Sequence, residues 1–188
     1  MKHIILASAS PRRQELLRLI TEEFTICPAD ADETLPDGLP VERQIETLAF
    51  RKAEAVFREN PGCTVIGSDT MVVVDGRPLG KPKDAGDARR MLHLLSGRVH
   101  EVITGLAVLS PAGNQIGHRT TKVYFRALTG AEIDRYIATG EPLDKAGAYG
   151  IQGRGATLIT GIEGDYFSVV GLPVELLYTM LAQLGYIE

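Results

Sequence analysis

Apolar positions along this chain alternate between short continuous runs and helical spacing, and each switch marks a boundary between a strand and a helix. His3 to Ala9 reads as a short buried strand. Ser10-Pro11 then opens a helix, serine as the N-cap and proline at the first helical position, with Leu16, Leu17 and Ile20 on its apolar side. Thr25 to Ala29 is expected as a second strand. Asp30 to Pro40 is a loop that holds Asp30, Asp32, Glu33, Asp37, Gly38 and two prolines. A long helix follows from about Val41 to Glu59, with the stripe Val41, Ile45, Leu48, Ala49 and Val56.

Thr64 to Val74 is a strongly β-prone run that ends at the turn signal Asp75-Gly76. Asp84 caps a helix to Leu95, and Ser96-Gly97 lies beyond its end. Strands are expected at Val99–Leu109 and Lys122–Leu128, with Pro111-Ala112-Gly113-Asn114 as a turn between them. Thr129 caps a helix to about Thr139. The glycine-rich stretch Gly140 to Gly155 precedes two expected strands, Ala156–Ile162 and Tyr166–Val170, and Pro173 opens a last helix through Leu184. The alternation predicts an α/β protein with a mixed sheet and flanking helices.

A length of 188 residues fits one generous domain or two small lobes, with enough core to fold without disulfides. Hydrophobic residues at 44% and charged residues at 23% are globular values. The net charge of −4 argues against a general nucleic-acid binder, although a local basic pocket remains compatible with it. Cys27 and Cys63 have no metal or redox spacing; they read as two buried free thiols, with a disulfide as the alternative. The apolar run after Met1-Lys2 breaks too early for a signal peptide, and no stretch reaches transmembrane length; a soluble cytoplasmic protein is expected.

Several residues break these local rules. Arg12 and Arg13 occupy the first turn of a helix, where the dipole disfavours cations. With the small segment Ala7-Ser8-Ala9-Ser10 they form either a phosphate cradle or two solvated arginines. Lys52 falls in the apolar stripe between Leu48 and Val56; it snorkels, or its ammonium meets an anion in a cleft. Asp69 stands in the apolar run Val65 to Val74, where a carboxylate must be paired, metal-bound or functional. Gly67 and Ser68 are read as keeping its approach open. Lys81 and Lys83 sit in a loop stiffened by Pro78 and Pro82, which suits phosphate binding or a solvated basic turn. Asp30, Asp32 and Glu33 offer carboxylates to a divalent cation or form a solvated loop. Asp144, Lys145, Gln152 and Arg154 lie in the glycine-rich stretch, and loops of this kind carry function often. No GxxxxGK[ST], HExxH or GxSxG motif is present, and the histidines show no ligand spacing.

Four segments in order, Ala7-Ser8-Ala9-Ser10-Pro11-Arg12-Arg13, Gly67-Ser68-Asp69-Thr70, Gly80-Lys81-Pro82 and Asp144-Lys145-Ala146-Gly147-Ala148-Tyr149-Gly150-Ile151-Gln152-Gly153, closely resemble the Maf family of nucleotide pyrophosphatases. The resemblance runs from Ile4 to the Gly171-Leu172-Pro173 helix start. It implies one Maf-like domain over residues 1–188, with a twisted mixed sheet, two lobes around a cleft and the fold of the inosine-triphosphate pyrophosphatases. It also implies a divalent cation, magnesium or manganese, and a homodimer. The Ala-Tyr-Gly-Ile-Gln-Gly segment resembles the branch that hydrolyses dTTP and UTP to monophosphate and pyrophosphate. By the same likeness Asp69 is the proton acceptor, and Arg13, Glu33, Lys52 and Lys81 belong to the catalytic pocket. Arg12, Thr70 and Gln152 stand where the base is selected, Ser8 joins the substrate-binding set, and Glu33 with Asp69 would hold the metal. Proton acceptance and direct metal ligation by Asp69 compete, because a bound carboxylate has little basicity to spare. Other readings are a pyrophosphatase for a modified nucleotide such as 7-methyl-GTP, and a nucleotide-sensing regulator of cell division without turnover.

Overall fold

The structure is a computed structural model that describes residues 3–35 and 38–187. Asp37 of the acidic loop, its neighbour Pro36, the Met1-Lys2 start and Glu188 lie outside the described residues. The strands are β1 (Ile4–Leu6), β2 (Phe24–Ile26), β3 (Thr64–Val74), β4 (Arg77–Leu79), β5 (Val99–Ser110), β6 (Gly113–Phe125) and β7 (Ile159–Glu163). The helices are α1 (Pro11–Leu17), α2 (Val41–Glu59), α3 (Ala85–Leu95), α4 (Gly130–Ile137), α5 (Tyr166–Val170) and α6 (Val174–Gln183). The sheet runs β2-β1-β3-β5-β6-β7, with β4 paired to β3. It is mixed, as the alternation of elements predicts: β1 is parallel to β2 and β3, whereas β3–β4 and β6–β7 are antiparallel. No described helix is long and apolar enough to cross a membrane.

The chain divides into two compact units, and each has its own core. The first comprises Met1–Asp69, Thr104–Arg119 and Gly171–Glu188. In it β1 lies between β2 and β3, with Ile4 opposite both Phe24 and Thr64. The α2 stripe buries Ile45, Leu48, Ala49, Ala53 and Val56. Ala49, Ala53 and Val56 join Ile5, Ala7, Val65, Ala107 and Leu109 in one apolar cluster. The helix comes so close to the sheet that a Cβ on Gly67 would lie 2.3 Å from the Ala49 carbonyl oxygen, and one on Gly105 would lie 2.4 Å from that of Ile45. Gly67 is therefore a packing residue, not an opening beside Asp69. Cys27 and Cys63 are free thiols, partly buried against the same cluster.

The second unit comprises Thr70–Ile103 and Thr120–Val170. Asp75 (φ 51°) and Gly76 (φ 71°) turn β3 into β4, the left-handed pair that a two-residue hairpin requires. Pro78 sits within β4 opposite Val73; a strand off the main path has room for a residue without an N–H. The pattern of apolar residues gives no sign of this strand. Thr129 and Glu132 close a reciprocal capping box on α4, in keeping with the expected cap. Three expectations are corrected. Tyr166–Val170 is a helix: the Asp165 carboxylate accepts the N–H groups of Phe167 (2.9 Å) and Ser168 (3.1 Å), and this cap overrides the β-propensity of the run. Residues Gly153–Leu158 form 3₁₀ turns, so β7 starts at Ile159. β6 begins at Gly113, not near Lys122, through a polar stretch that has no apolar alternation.

His100 is 2% exposed in this unit's core, edge-on to Phe125 and Tyr149, with Nε2 2.6 Å from the Tyr149 hydroxyl. Burial pulls its pKa down from 6.5 to about 4. Between those values the unfolded chain binds a proton that the folded chain refuses. Stability is thus complete above pH 6.5 and falls as pH drops to about 4, by roughly 3 kcal/mol from this residue. Urea unfolding at pH 7 and pH 4.5 measures the slope. His100→Gln, which keeps a polar atom near Tyr149 and does not titrate, is expected to flatten it.

Candidate active site

The site residues begin with the helix that presents Lys52. Four residues from Leu48 and four from Val56, its stem lies along the buried stripe of α2 and its side chain is 17% exposed. The ammonium does not reach solvent alone. Nζ lies 2.5 Å from Asp69 Oδ1 and 2.9 Å from Glu33 Oε1. Asp69, also 17% exposed, projects from the centre of β3, and Glu33 arrives from the acidic loop. Each carboxylate offsets the cost of burying the ammonium, and the ammonium offsets that of burying Asp69.

The arginine at the start of α1 is drawn into the same unit. Arg13 Nε donates to the Gly171 carbonyl at 2.8 Å, and Nη1 donates to Ser8 Oγ at 3.2 Å. The buried Ser68 hydroxyl donates to that same carbonyl at 3.1 Å. Ser8 Oγ also accepts the Ser10 N–H, and Ser10 caps the Arg13 N–H. The cap takes one of the free N–H groups expected for a phosphate cradle. Burial lowers the Arg13 pKa, the Asp69 carboxylate opposes that shift, and Arg12 adds to it. The guanidinium is thus a fixed cation with defined direction, not a solvated one. Arg12 is half-buried beside it.

Of the nine expected site residues, the first unit collects Ser8, Arg12, Arg13, Glu33, Lys52 and Asp69. Thr70, the next residue along β3, belongs to the second unit, as do Lys81 and Gln152, both exposed. Of the other flagged residues, Lys83 is exposed and donates its N–H to Asp87, while Lys145 pairs with Asp144 at 2.7 Å. Arg154 is exposed. The Asp32 carboxylate accepts the Thr34 N–H at 2.9 Å and lies 4.0 Å from the Arg51 guanidinium, and the Thr34 bond holds its pKa below the usual value. Asp30 is exposed.

Pattern reading misses three contributors. Arg51 donates to the carbonyls of Asp32 (3.0 Å) and Thr34 (2.5 Å) and so fixes the loop that carries Glu33. Ser68 and the Gly171 carbonyl fix Arg13. Backbone acceptors carry no signal in the side-chain pattern, and an arginine beside Lys52 reads as a solvated helix flank.

Among the described residues no group of three or more His, Cys, Asp or Glu side chains could hold a metal ion by itself. Glu33 and Asp69 nevertheless offer two hard oxygen donors converging on one point, where the Lys52 ammonium now lies. Magnesium-type ions are held by one or two carboxylates, with water and substrate phosphates completing the shell, so the donor set fits such an ion in kind. Two cations, Arg13 and Lys52, and two carboxylates together suit the binding and activation of a phosphate anhydride.

Comparison with known proteins agrees with this chemistry. The sequence profile of the family described as Maf-like protein matches residues 3–184. A protein of Moorella thermoacetica named dTTP/UTP pyrophosphatase is 53% identical over 187 residues, covering 98% of this chain and 96% of its own. A Geobacillus protein of the same name is 50% identical, covering 99% of this chain and all of its own (100%). One from Thermococcus gammatolerans is 49% identical, covering 97% of each. In structure, the Ham1 protein of Staphylococcus aureus aligns with a TM-score of 0.57 at 16% identity, over 97% of this chain and 99% of that one, a likeness of fold.

Proposed function

The chain belongs to the Maf family, and we propose that it hydrolyses dTTP and UTP to the nucleoside monophosphate and pyrophosphate. The observation that supports this best is the Glu33–Lys52–Asp69 cluster, with the fixed guanidinium of Arg13 in the same unit. Relatives about half identical over nearly their full length carry that activity in their name.

Release of pyrophosphate requires water to attack the α-phosphorus and the bond to the bridging oxygen of the β-phosphate to break. Negative charge grows on the phosphoryl oxygens, so fixed cations lower the barrier most. Arg13 and Lys52 supply them, and Lys81 is assigned to the same task by family likeness. Lys52 is held between two carboxylates, so it is oriented before substrate arrives and loses little entropy on binding. Asp69 takes the proton of the attacking water. Glu33, joined by Asp69 only where that carboxylate is not the base, would hold a magnesium or manganese ion, which when bound neutralises phosphate charge. Ser8, Arg12, Thr70 and Gln152 are assigned to substrate. The Gln152 amide offers both a donor group and an acceptor group, which complements the edge shared by thymine and uracil. A cytoplasmic homodimer acting as one functional domain over residues 1–188, without nucleic-acid or membrane partners, belongs to the same proposal. So does a part in removing modified nucleotides or controlling division.

Product analysis with purified protein, magnesium or manganese, and dTTP, UTP, CTP, ATP and GTP tests the reading. Monophosphate and pyrophosphate from dTTP and UTP are expected. Orthophosphate and diphosphate would place the attack at the γ-phosphorus and overturn the mechanism. Turnover of none of the five would favour a modified nucleotide or a regulator without turnover.

A further inference from the structure

In the second unit the segment around Gln152 is tied down by a single carboxylate. Glu141 Oε2 accepts the Arg154 N–H at 3.0 Å, and Oε1 accepts the Gly155 N–H at 3.0 Å. The Tyr136 hydroxyl donates to the same Oε1 at 2.9 Å and accepts the Gly150 N–H at 3.2 Å. The chain is thus held two residues before Gln152 and two and three residues after it, and both ties end on Glu141. The segment is drawn in closely. A Cβ on Gly155 would lie 2.0 Å from the Gly150 carbonyl oxygen, and one on Gly153, which already has a φ of 65°, would lie 2.9 Å from Glu141 Oε2. Lys145 Nζ donates to the Glu141 carbonyl at 2.7 Å and so fixes the backbone that bears the carboxylate. Burial raises the Glu141 pKa, but the N–H groups of Gly155 and Arg154, the Tyr136 hydroxyl and the Lys145 ammonium together outweigh it and hold the carboxyl below its usual value. Gln152 itself is exposed, so its direction comes from the backbone on either side.

We propose that Glu141 is a positioning residue for base selection: through the N–H groups of Arg154 and Gly155 and the Tyr136 hydroxyl it holds Gln152 in the orientation that reads the pyrimidine edge. This rests on the reading of Gln152 as the base-selecting amide. A carboxylate is needed because all three of its neighbours donate. A glutamine here presents an NH₂ to at least one of them, and that donor loses its acceptor whichever way the amide turns.

The experiment uses the full chain and measures kcat and KM for dTTP, UTP and CTP in the parent, Glu141→Gln, Tyr136→Phe and Gln152→Ala, with a thermal melt of each. In Glu141→Gln the preference for dTTP and UTP over CTP is expected to fall at least tenfold, to within threefold of Gln152→Ala, with the loss carried by KM. Tyr136→Phe removes the Gly150 tie and one donor to Glu141 but keeps both N–H bonds, and is expected to lose part of that preference; it serves as the test if Glu141→Gln does not fold. Unchanged discrimination in a folded Glu141→Gln or, failing that, in Tyr136→Phe, beside a Gln152→Ala that has lost it, overturns the positioning role alone. Equal loss of kcat for all three nucleotides also overturns it, since that is the mark of a merely structural tie. Full discrimination in Gln152→Ala removes the reading of Gln152 and the proposal with it.

Discussion

Asp69→Asn is expected to lower dTTP turnover on the order of 10³-fold, while the melting temperature moves by no more than a few degrees. The substitution keeps the shape of the side chain and removes only its charge. Lys52 keeps a carboxylate at 2.9 Å in Glu33, so the ammonium is not left buried and unpaired, which would cost several kcal/mol. The neutral amide can still accept from Nζ, so packing along β3 is preserved. What disappears is the ionised oxygen, and either of the competing roles of Asp69, base or metal ligand, depends on it. A missing general base costs about 10²- to 10⁴-fold, and a lost anionic donor weakens any cation held with Glu33. Steady-state release of pyrophosphate, beside a thermal melt, measures the effect. Turnover within tenfold of the parent would remove Asp69 from the mechanism.

The largest effect on stability is expected from Gly67→Ala, a loss of about 3 kcal/mol or more. The added Cβ would meet the Ala49 carbonyl oxygen at 2.3 Å and the Ala53 nitrogen at 2.7 Å. Both are backbone atoms of one helix turn, so no side-chain rotation relieves the contact; α2 must lift or β3 must bend. Either movement also disturbs the Lys52–Asp69 pair, because Lys52 lies on that helix and Asp69 stands two residues along that strand. Activity should fall together with stability. Gly62→Ala is the control, since nothing lies within 4 Å of its Cβ position. Urea unfolding of the two variants beside the parent gives the comparison, and a Gly67→Ala protein within 1 kcal/mol of the control would show that the helix–strand approach is not the constraint.

Long, strongly patterned elements were legible. α2 and β3 match their expected bounds, and the helices after Asp84, Thr129 and Pro173 start where their caps or prolines place them. In each case the signal lies within the element's own side chains. Where partners distant in sequence decide the outcome, the reading fails. β4 exists through its pairing to β3, and the polar first half of β6 takes its extended form in the sheet without apolar alternation. Asp165 and Thr121 hold Tyr166–Val170 as a helix although its residues favour a strand, because each cap bond satisfies a backbone group that a strand would have to pair elsewhere.

The candidate site divides the same way. Asp69 and Lys52 stood out from the sequence alone, because a carboxylate in an apolar strand and an ammonium in an apolar helical stripe both cost free energy until something compensates them. That each compensates the other, with Glu33 as a second partner and Asp32 on Thr34 and Arg51, is a matter of distances between segments far apart in the chain. The same holds for Arg13 on the Gly171 carbonyl and for Glu141 beneath the Gln152 segment. Periodicity and capping are local, so the amino-acid order determined the element types and which residues were out of place. Pairing and hydrogen bonding to backbone depend on where the chain returns in space, and only the tertiary structure decided those.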